Sequence, residues 1–272
     1  MDVSLCVDTG RPWADVAALA RAADSAGVHT VYVSDHLLPF APVGSPADEP
    51  VLEAWTTLTA LATATERVRI GTLVLGSTLR HPAVVAKMAA TLDHVSGGRL
   101  VLGLGAGWQP NEHAANGIPL PPVGERLDRF TEALRAIILL LHEGGGSLEG
   151  RYVRLTDARC SPRPLQRRLP ILVGGSGERR TLRIAATYAD AWHAWGEAEE
   201  FARLSGVLDG HCAAVGRTPD TVRRVTGGVP EDGREELGRY AAAGADEYVL
   251  RDLRAEPTST TLARLQSLIV LR

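Results

Sequence analysis

The sequence predicts a (β/α)8 barrel, an α/β fold of the TIM type. Short apolar, β-branched runs alternate with helical stripes along the whole chain, and eight such strand–helix pairs can be counted. The strands are apolar on both faces, as parallel strands are when helices cover them outside and side chains fill them inside. A length of 272 residues suits one closed barrel of this kind. An open doubly wound sheet is the alternative architecture. No composition shift marks a boundary, so residues 1–272 read as a single domain.

The elements follow in order. Val3–Val7 is the first strand. Arg11-Pro12-Trp13 opens a helix to Ala26, with Val16, Leu19, Ala20 and Ala23 on one face and Gly27 as its stop. Val31–Ser34 is the second strand, ending at Asp35-His36. Residues 38–50 are rich in Pro, Ala and Gly and read as a long surface loop. A helix over Glu53–Thr65 leads to the third strand, Val68–Leu75. His81-Pro82 opens a helix striped by Val85, Met88, Leu92 and Val95, which Ser96-Gly97-Gly98 ends before the fourth strand at Leu100. The segment 109–124 holds four prolines and reads as a second long loop. Glu125–His142 is the longest helix, with Leu127, Phe130, Leu134, Ile137, Ile138 and Leu141 at helical spacing, and Gly144-Gly145-Gly146 breaks it. A small hairpin is expected over Leu148–Leu155. The fifth strand, Pro170–Val173, runs into Gly174-Gly175-Ser176-Gly177 and a helix to Tyr188. Asp190–Trp195, Val222–Val229 and Asp246–Leu250 are strands six to eight. Their helices are expected over Glu197–Val215, Glu231–Ala243 and Thr260–Leu271.

Composition narrows the function. Apolar residues make up 45% and charged residues 22%, the balance of an ordinary globular protein, and the net charge of −3 gives no attraction to nucleic acid or an anionic membrane. No apolar run approaches the length of a membrane span. The three cysteines, Cys6, Cys160 and Cys212, are far apart and match no metal spacing, so a reduced, cytoplasmic setting is expected and no metal site. No signal peptide is evident at the N-terminus. The single lysine, Lys87, falls mid-helix, which argues against a Schiff-base aldolase. Asp8-Thr9-Gly10 after the first strand lacks the His-x-His of barrel metallohydrolases.

The stretch RLVLGLGAGWQPNE, from Arg99 to Glu112, carries Gly103, Gly105 and Gly107 on alternate positions. Glycine there lets a flat ligand or a phosphate approach the backbone. A dinucleotide fingerprint G-x-G-x-x-G fails, because the sixth residue from Gly103 is Trp108 and Pro110 follows. In a barrel, chemistry gathers where strands end and helices begin. That rule collects Asp35-His36, the Gly71–Val74 region, Gly105–Glu112, Gly174–Gly177 and Trp195-Gly196 on one surface. By itself Asp35-His36 also suits a structural pair that anchors the following loop, and Gly174–Gly177 suits a tight turn. Exposed N–H groups at the start of the following helix, with Arg179 and Arg180 beside them, suit an anion. Glu112 is a possible acid, or equally a loop carboxylate.

These residues resemble the bacterial luciferase-like monooxygenase superfamily, in the branch that uses the deazaflavin coenzyme F420. The resemblance rests on SDH at 34–36, on IGTLVLGSTLRHPAVVAKMAATLDHVSGGRLVLGLGAGW at 70–108 and on SPRPLQRRLPILVGGSGERR at 161–180, and it spans nearly the whole chain. It implies a barrel of the luciferase-like type and an oxidoreductase that passes a hydride between F420 and an unidentified organic substrate. It places Asp35 and His36 beside the ring, with His36 handling a proton, a task that suits an imidazole. It aligns Thr72, Leu73 and Val74 with a bulge and a non-proline cis peptide that support the ring. It assigns Gly105, Ala106, Gly107, Trp108 and Asn111 to the coenzyme loop after the fourth strand, and Gly174, Gly175, Ser176 and Gly177 to the coenzyme phosphate. Trp108 stands where the family's sugar-phosphate dehydrogenases carry an acidic glutamate, which argues against a glucose-6-phosphate-type activity. The same barrel hosts FMN-dependent monooxygenases fed by a partner reductase, the alternative reading. A non-catalytic flavin-binding protein is the reading outside enzymology. The substrate pocket is expected from loops 37–52 and 109–124, and a homodimer is usual in the superfamily.

Overall fold

The computed structural model describes residues 1–45, 48–230 and 233–270. Eight parallel strand positions close into a barrel: β1 (Asp2–Val7), β2 (Thr30–Val33), β3 (Arg69–Thr72) continued by β4 (Leu75–Gly76), β5 (Leu100–Gly105), β8 (Ile171–Gly174), β9 (Ala191–His193), β10 (Arg223–Gly228) and β11 (Glu247–Arg251). Closure comes from β5, which pairs with β3 on one side and β8 on the other. The third strand is interrupted at Leu73–Val74, whose peptide bond is cis. The cis bond that the family resemblance implied is therefore present, at a break in the strand.

Helices α1 (Trp13–Ala26), α2 (Ala54–Ala64), α3 (Pro82–Val95), α5 (Val123–Leu141), α6 (Thr181–Tyr188), α7 (Ala198–Ala214), α8 (Gly233–Ala242) and α9 (Thr258–Ile269) surround the strands. Their apolar stripes explain the arrangement: α1 buries Val16, Leu19, Ala20 and Ala23, and α5 buries Leu127, Phe130, Leu134, Ile137 and Leu141. Gly27 ends α1 in the left-handed conformation at φ 75°, which suits glycine. The expected helix start at Glu231 and helix end at Leu271 lie outside the described residues. The expected hairpin is longer than its apolar core suggested, pairing β6 (Gly145–Glu149) with β7 (Arg154–Arg159). One element departs from expectation. The second long loop contains a short helix, α4 (Pro110–Ala115), with Pro110 in its first turn, where the missing N–H costs nothing.

Inside the barrel, one apolar side chain from each strand position fills a layer: Cys6, Tyr32, Leu73, Val101, Leu172, Ala191, Val225 and Val249. Side chains alternate along a strand, so residues two positions on point inward as well. Toward the strand C-termini those positions include Asp8, Ser34, Gly103, Gly174, His193, Gly227 and Arg251. Glycine dominates this layer because the strands crowd there. A Cβ at Gly103 would lie 1.9 Å from the Thr72 carbonyl oxygen, and one at Gly227 would lie 1.9 Å from that of Val249. The core stops at this level and a cavity opens above it.

Candidate active site

The cavity encloses about 1040 Å³ at the C-terminal mouth of the barrel. Both long loops wall it, through Leu38, Phe40 and Val51 from the first and Gln109, Glu112 and Val123 from the second. Pro46 and Ala47 of the first loop lie outside the described residues.

His36 is anchored from below. Its Nδ1 lies 3.2 Å from Glu112 Oε1, and the Leu37 N–H donates to Glu112 Oε2 at 2.7 Å. A carboxylate only accepts, so Nδ1 carries the hydrogen and Nε2 of the neutral ring keeps a lone pair. Burial alone would raise the Glu112 carboxyl, but the hydrogen bonds from His36 and the Leu37 N–H outweigh it and hold the group below its ordinary value. Glu112 therefore stays ionised as the partner of His36. The acid role open to it in the sequence does not fit this geometry.

Asp35 faces the other way. Its carboxylate takes two hydrogen bonds from Arg80, at 2.8 and 3.0 Å, and one from the Gly76 N–H at 2.9 Å. Arg80 also binds Glu53, which caps α2 by accepting from the Trp55 and Thr56 N–H groups. Asp35 borders the cavity, yet its oxygens are occupied in pinning β4 beside the cis peptide.

Of the residues that the resemblance assigns to the coenzyme, Leu73, Val74, Gly105, Ala106, Gly107, Trp108, Gly174, Gly175 and Gly177 line the cavity. Three expected residues do not: Thr72, Asn111 and Ser176. The Thr72 hydroxyl donates to the Gly103 carbonyl at 2.7 Å and ties β3 to β5. Asn111 donates to the Pro39 carbonyl at 2.9 Å and joins the two loops. The Gly174–Gly177 turn is held by Trp192, whose indole N–H donates to the Gly175 carbonyl at 2.9 Å, and by the Gly175 N–H on the His193 carbonyl.

Neither of the arginines expected to serve this turn lines the cavity. Arg180 bonds the Gly124 carbonyl and Asp128, on the outside of the barrel, and Arg179 does not line the cavity. Arg126, from the first turn of α5, lines it instead. Its Nη1 donates to the Gly107 carbonyl at 2.9 Å, and its Nε is buried without a partner. The helical stripe of α5 drew attention to its apolar face and hid this residue. His113 was also missed. It bonds the Gln109 carbonyl through Nδ1 and the Thr78 hydroxyl through Nε2, and that hydroxyl would lie 2.5 Å from a Cβ at Gly107. Gly107 is at φ 80°, so glycine is required there twice over.

A barrel whose third strand breaks at a cis Leu73–Val74, with a histidine–carboxylate pair over the break, leads to a direct comparison with known proteins. The sequence matches the family model for luciferase-like monooxygenase over residues 2–255. The chain belongs to this family. An uncharacterized protein of Mycobacterium tuberculosis is 30% identical over 267 residues, covering 92% of both chains. An F420-dependent glucose-6-phosphate dehydrogenase of Beutenbergia cavernae is 40% identical over 179 residues, 65% of this chain and 51% of that protein. This chain thus aligns with about half the length of that relative. Among solved structures, an F420-dependent secondary alcohol dehydrogenase in complex with an F420-acetone adduct superposes with a TM-score of 0.85 at 19% identity, covering 100% of this chain and 99% of the other. At that identity the likeness is one of fold.

Among the described residues, no cluster of His, Cys, Asp and Glu is placed to hold a metal ion, and no helix is long and apolar enough to cross a membrane.

Proposed function

We propose that this luciferase-like chain is an F420-dependent oxidoreductase acting on a small organic substrate, with His36 as its proton-handling residue. The observation that carries the reading is the His36–Glu112 pair beside the glycine-lined cavity. The F420-dependent relatives in the same family support the choice of coenzyme.

The residues present fit a flat ring with a charged tail. Gly105 and Gly174 leave space that side chains would fill: a Cβ at either would meet the Val74 side chain, at 2.7 and 3.0 Å. Leu73 and Val74 offer an apolar wall, and the Gly174–Gly177 turn with Arg126 offers N–H groups and a cation to a phosphate. Bound F420 supplies two-electron hydride chemistry without oxygen. The chain's part is to bind, orient and move a proton. Glu112 fixes the His36 tautomer, so Nε2 is free to take a proton from a substrate hydroxyl as a hydride leaves, or to return one in the reverse direction. Asp35 and Arg80 hold the broken strand in place rather than touch the substrate. The chain works as one domain in a cytoplasmic setting, as a homodimer.

Titration of the purified protein with F420 and with FMN tests the coenzyme. Tight F420 binding is expected, and tight FMN binding with no measurable F420 binding would overturn the reading in favour of a flavin monooxygenase.

A further inference from the structure

One side chain on the cavity floor makes no hydrogen bond. His193 ends β9, is 4% exposed and lines the cavity. Its Nε2 is buried without a partner. The ring's close aromatic neighbour is Trp195, edge-on with centroids 4.5 Å apart, which is a packing contact. The other two histidines at the cavity are different: His36 is bonded through Nδ1 and His113 through both nitrogens. Buried polar groups are overwhelmingly paired, and one left unpaired costs about 1–3 kcal/mol. Such an exception at a cavity wall marks a group whose partner arrives from outside.

The chemistry of that partner follows from the surroundings. Burial keeps the imidazole neutral, drawing its pKa down to about 3. The ring therefore offers one N–H and one lone pair and no charge. On the adjacent strands β8 and β10 the inward positions beside it are Gly174 and Gly227, which carry no charge, and the charged members of the layer, Asp8 and Arg251, stand at the C-terminal ends of β1 and β11. A carboxylate or phosphate placed here would be desolvated with no cation at the adjacent inward positions, whereas a neutral group that both accepts and donates would be satisfied. Position adds a further constraint. His193 is the register partner of Gly174, and a Cβ at Gly174 would lie 3.0 Å from the Val74 side chain. With no side chain at Gly174, the apolar wall at Val74 and the imidazole at His193 border one continuous space.

We propose that His193 hydrogen-bonds the polar edge of the coenzyme's ring system, where carbonyl oxygens and an N–H alternate. This rests on the coenzyme reading above and concerns binding and ring placement, not proton transfer. An edge that carries both donors and acceptors suits a residue that carries one of each. FMN shares this edge chemistry, and a substrate amide or carbonyl shares part of it, so the test must separate the three.

Wild type, His193→Phe, His193→Met and His193→Gln are titrated with F420 and with FMN by the change in ring fluorescence. Thermal melting without coenzyme is recorded for each. The two apolar variants are expected to bind F420 about tenfold more weakly, the loss of one hydrogen bond. Glutamine keeps a donor and an acceptor and is expected to stay within about threefold. Melting without coenzyme should not fall in the apolar variants, because the unpaired buried group has gone. Coenzyme affinity equal to wild type in both apolar variants overturns the proposal, and a rise in substrate KM alone would then assign His193 to the substrate. Methionine guards against a steric failure of phenylalanine. A wild type that binds FMN and not F420 sinks the coenzyme reading alone, and His193 is then judged by the same comparison made with FMN.

Discussion

On β11, Glu247 lies two residues below the apolar layer at Val249 and Arg251 lies two residues above it. The two levels are built from the same strands and treat polar groups in opposite ways. Below, Glu247 is 1% exposed and fully engaged: it accepts from the Ser4 hydroxyl at 2.6 Å, from Tyr32 at 3.1 Å and from Arg223 Nε at 3.1 Å, with His29 at 3.6 Å. Burial would raise its carboxyl, but these partners draw it down to about 2. Above, His193 Nε2 and Arg126 Nε are buried with no partner, and glycines leave space open. A barrel's N-terminal end carries stability and its C-terminal end carries chemistry. Here the difference is visible in single groups: Glu247 is engaged on both oxygens, whereas His193 Nε2 and Arg126 Nε are open beside the fully bonded Asp35, Glu112 and His113.

The largest effects should fall on different observables at the two ends. Glu247→Ala leaves the buried Ser4 and Tyr32 hydroxyls without their acceptor, while Arg223 keeps Asp2, and is expected to cost about 1–3 kcal/mol of unfolding free energy for each orphaned group in urea titrations. Turnover per folded molecule should barely change. Next, His36→Ala is expected to lower kcat by about 10²–10³-fold, the usual weight of a positioned general acid–base. Its stability should stay within about 1 kcal/mol of wild type. A His36→Ala variant that loses coenzyme affinity but keeps its turnover at saturation would remove His36 from the chemistry.

Acid separates the ends by pH window. Glu247 has a folded pKa of about 2 against an ordinary 4.5, so its contribution is complete above about pH 4.5 and is lost as pH falls toward 2. His193 has a folded pKa of about 3 against an ordinary 6.5. The unfolded chain binds that proton first, so stability conferred by the neutral ring declines as pH falls below 6.5 toward 3. Unfolding free energy measured from pH 7 to 4 should therefore begin to fall near 6.5 and steepen below 4.5. His193→Gln should remove the first phase and leave the second.

A milder perturbation tests the open space. Gly174→Ala sets a methyl against Val74 at 3.0 Å and narrows the floor. Coenzyme affinity is expected to fall about tenfold while thermal melting moves by only a few degrees. An unchanged affinity would mean that the ring does not use the space between Val74 and His193.

The difference between the ends also explains which features can be read from sequence. Strands such as Val31–Ser34 and Val68–Leu75 announce themselves because burial on both faces demands apolar, β-branched runs. His36 and the glycine turns stand out because strand ends concentrate function, and because glycine is scarce elsewhere in strands. Partners distant in the chain are silent. Nothing near Glu112 reveals that it holds His36, 76 residues away. Nothing near Asp35 reveals Arg80, 45 residues on, and Thr72, Asn111 and Ser176 sit inside cavity-lining segments while missing the cavity. Helix α4 hid among prolines because Pro110 occupies the one turn that tolerates it. His193 looked like part of a strand. Its distinction is the lack of a partner, which no local pattern encodes.

The smallest expected effect lies at the rim. Trp108 is 54% exposed, meets His36 edge-on at 5.8 Å between ring centroids and lies 5.4 Å from Phe40. Aromatic contacts of this kind contribute about 0.5–1.5 kcal/mol. Glu112 already fixes the His36 ring and Trp108 lines the cavity, so under the proposed function Trp108 walls the substrate rather than supports the histidine. Trp108→Ala should therefore raise substrate KM by about three- to tenfold, with kcat, the pH profile and melting close to wild type. A fall in kcat comparable to that of His36→Ala would show instead that the rim sets the geometry of the proton transfer.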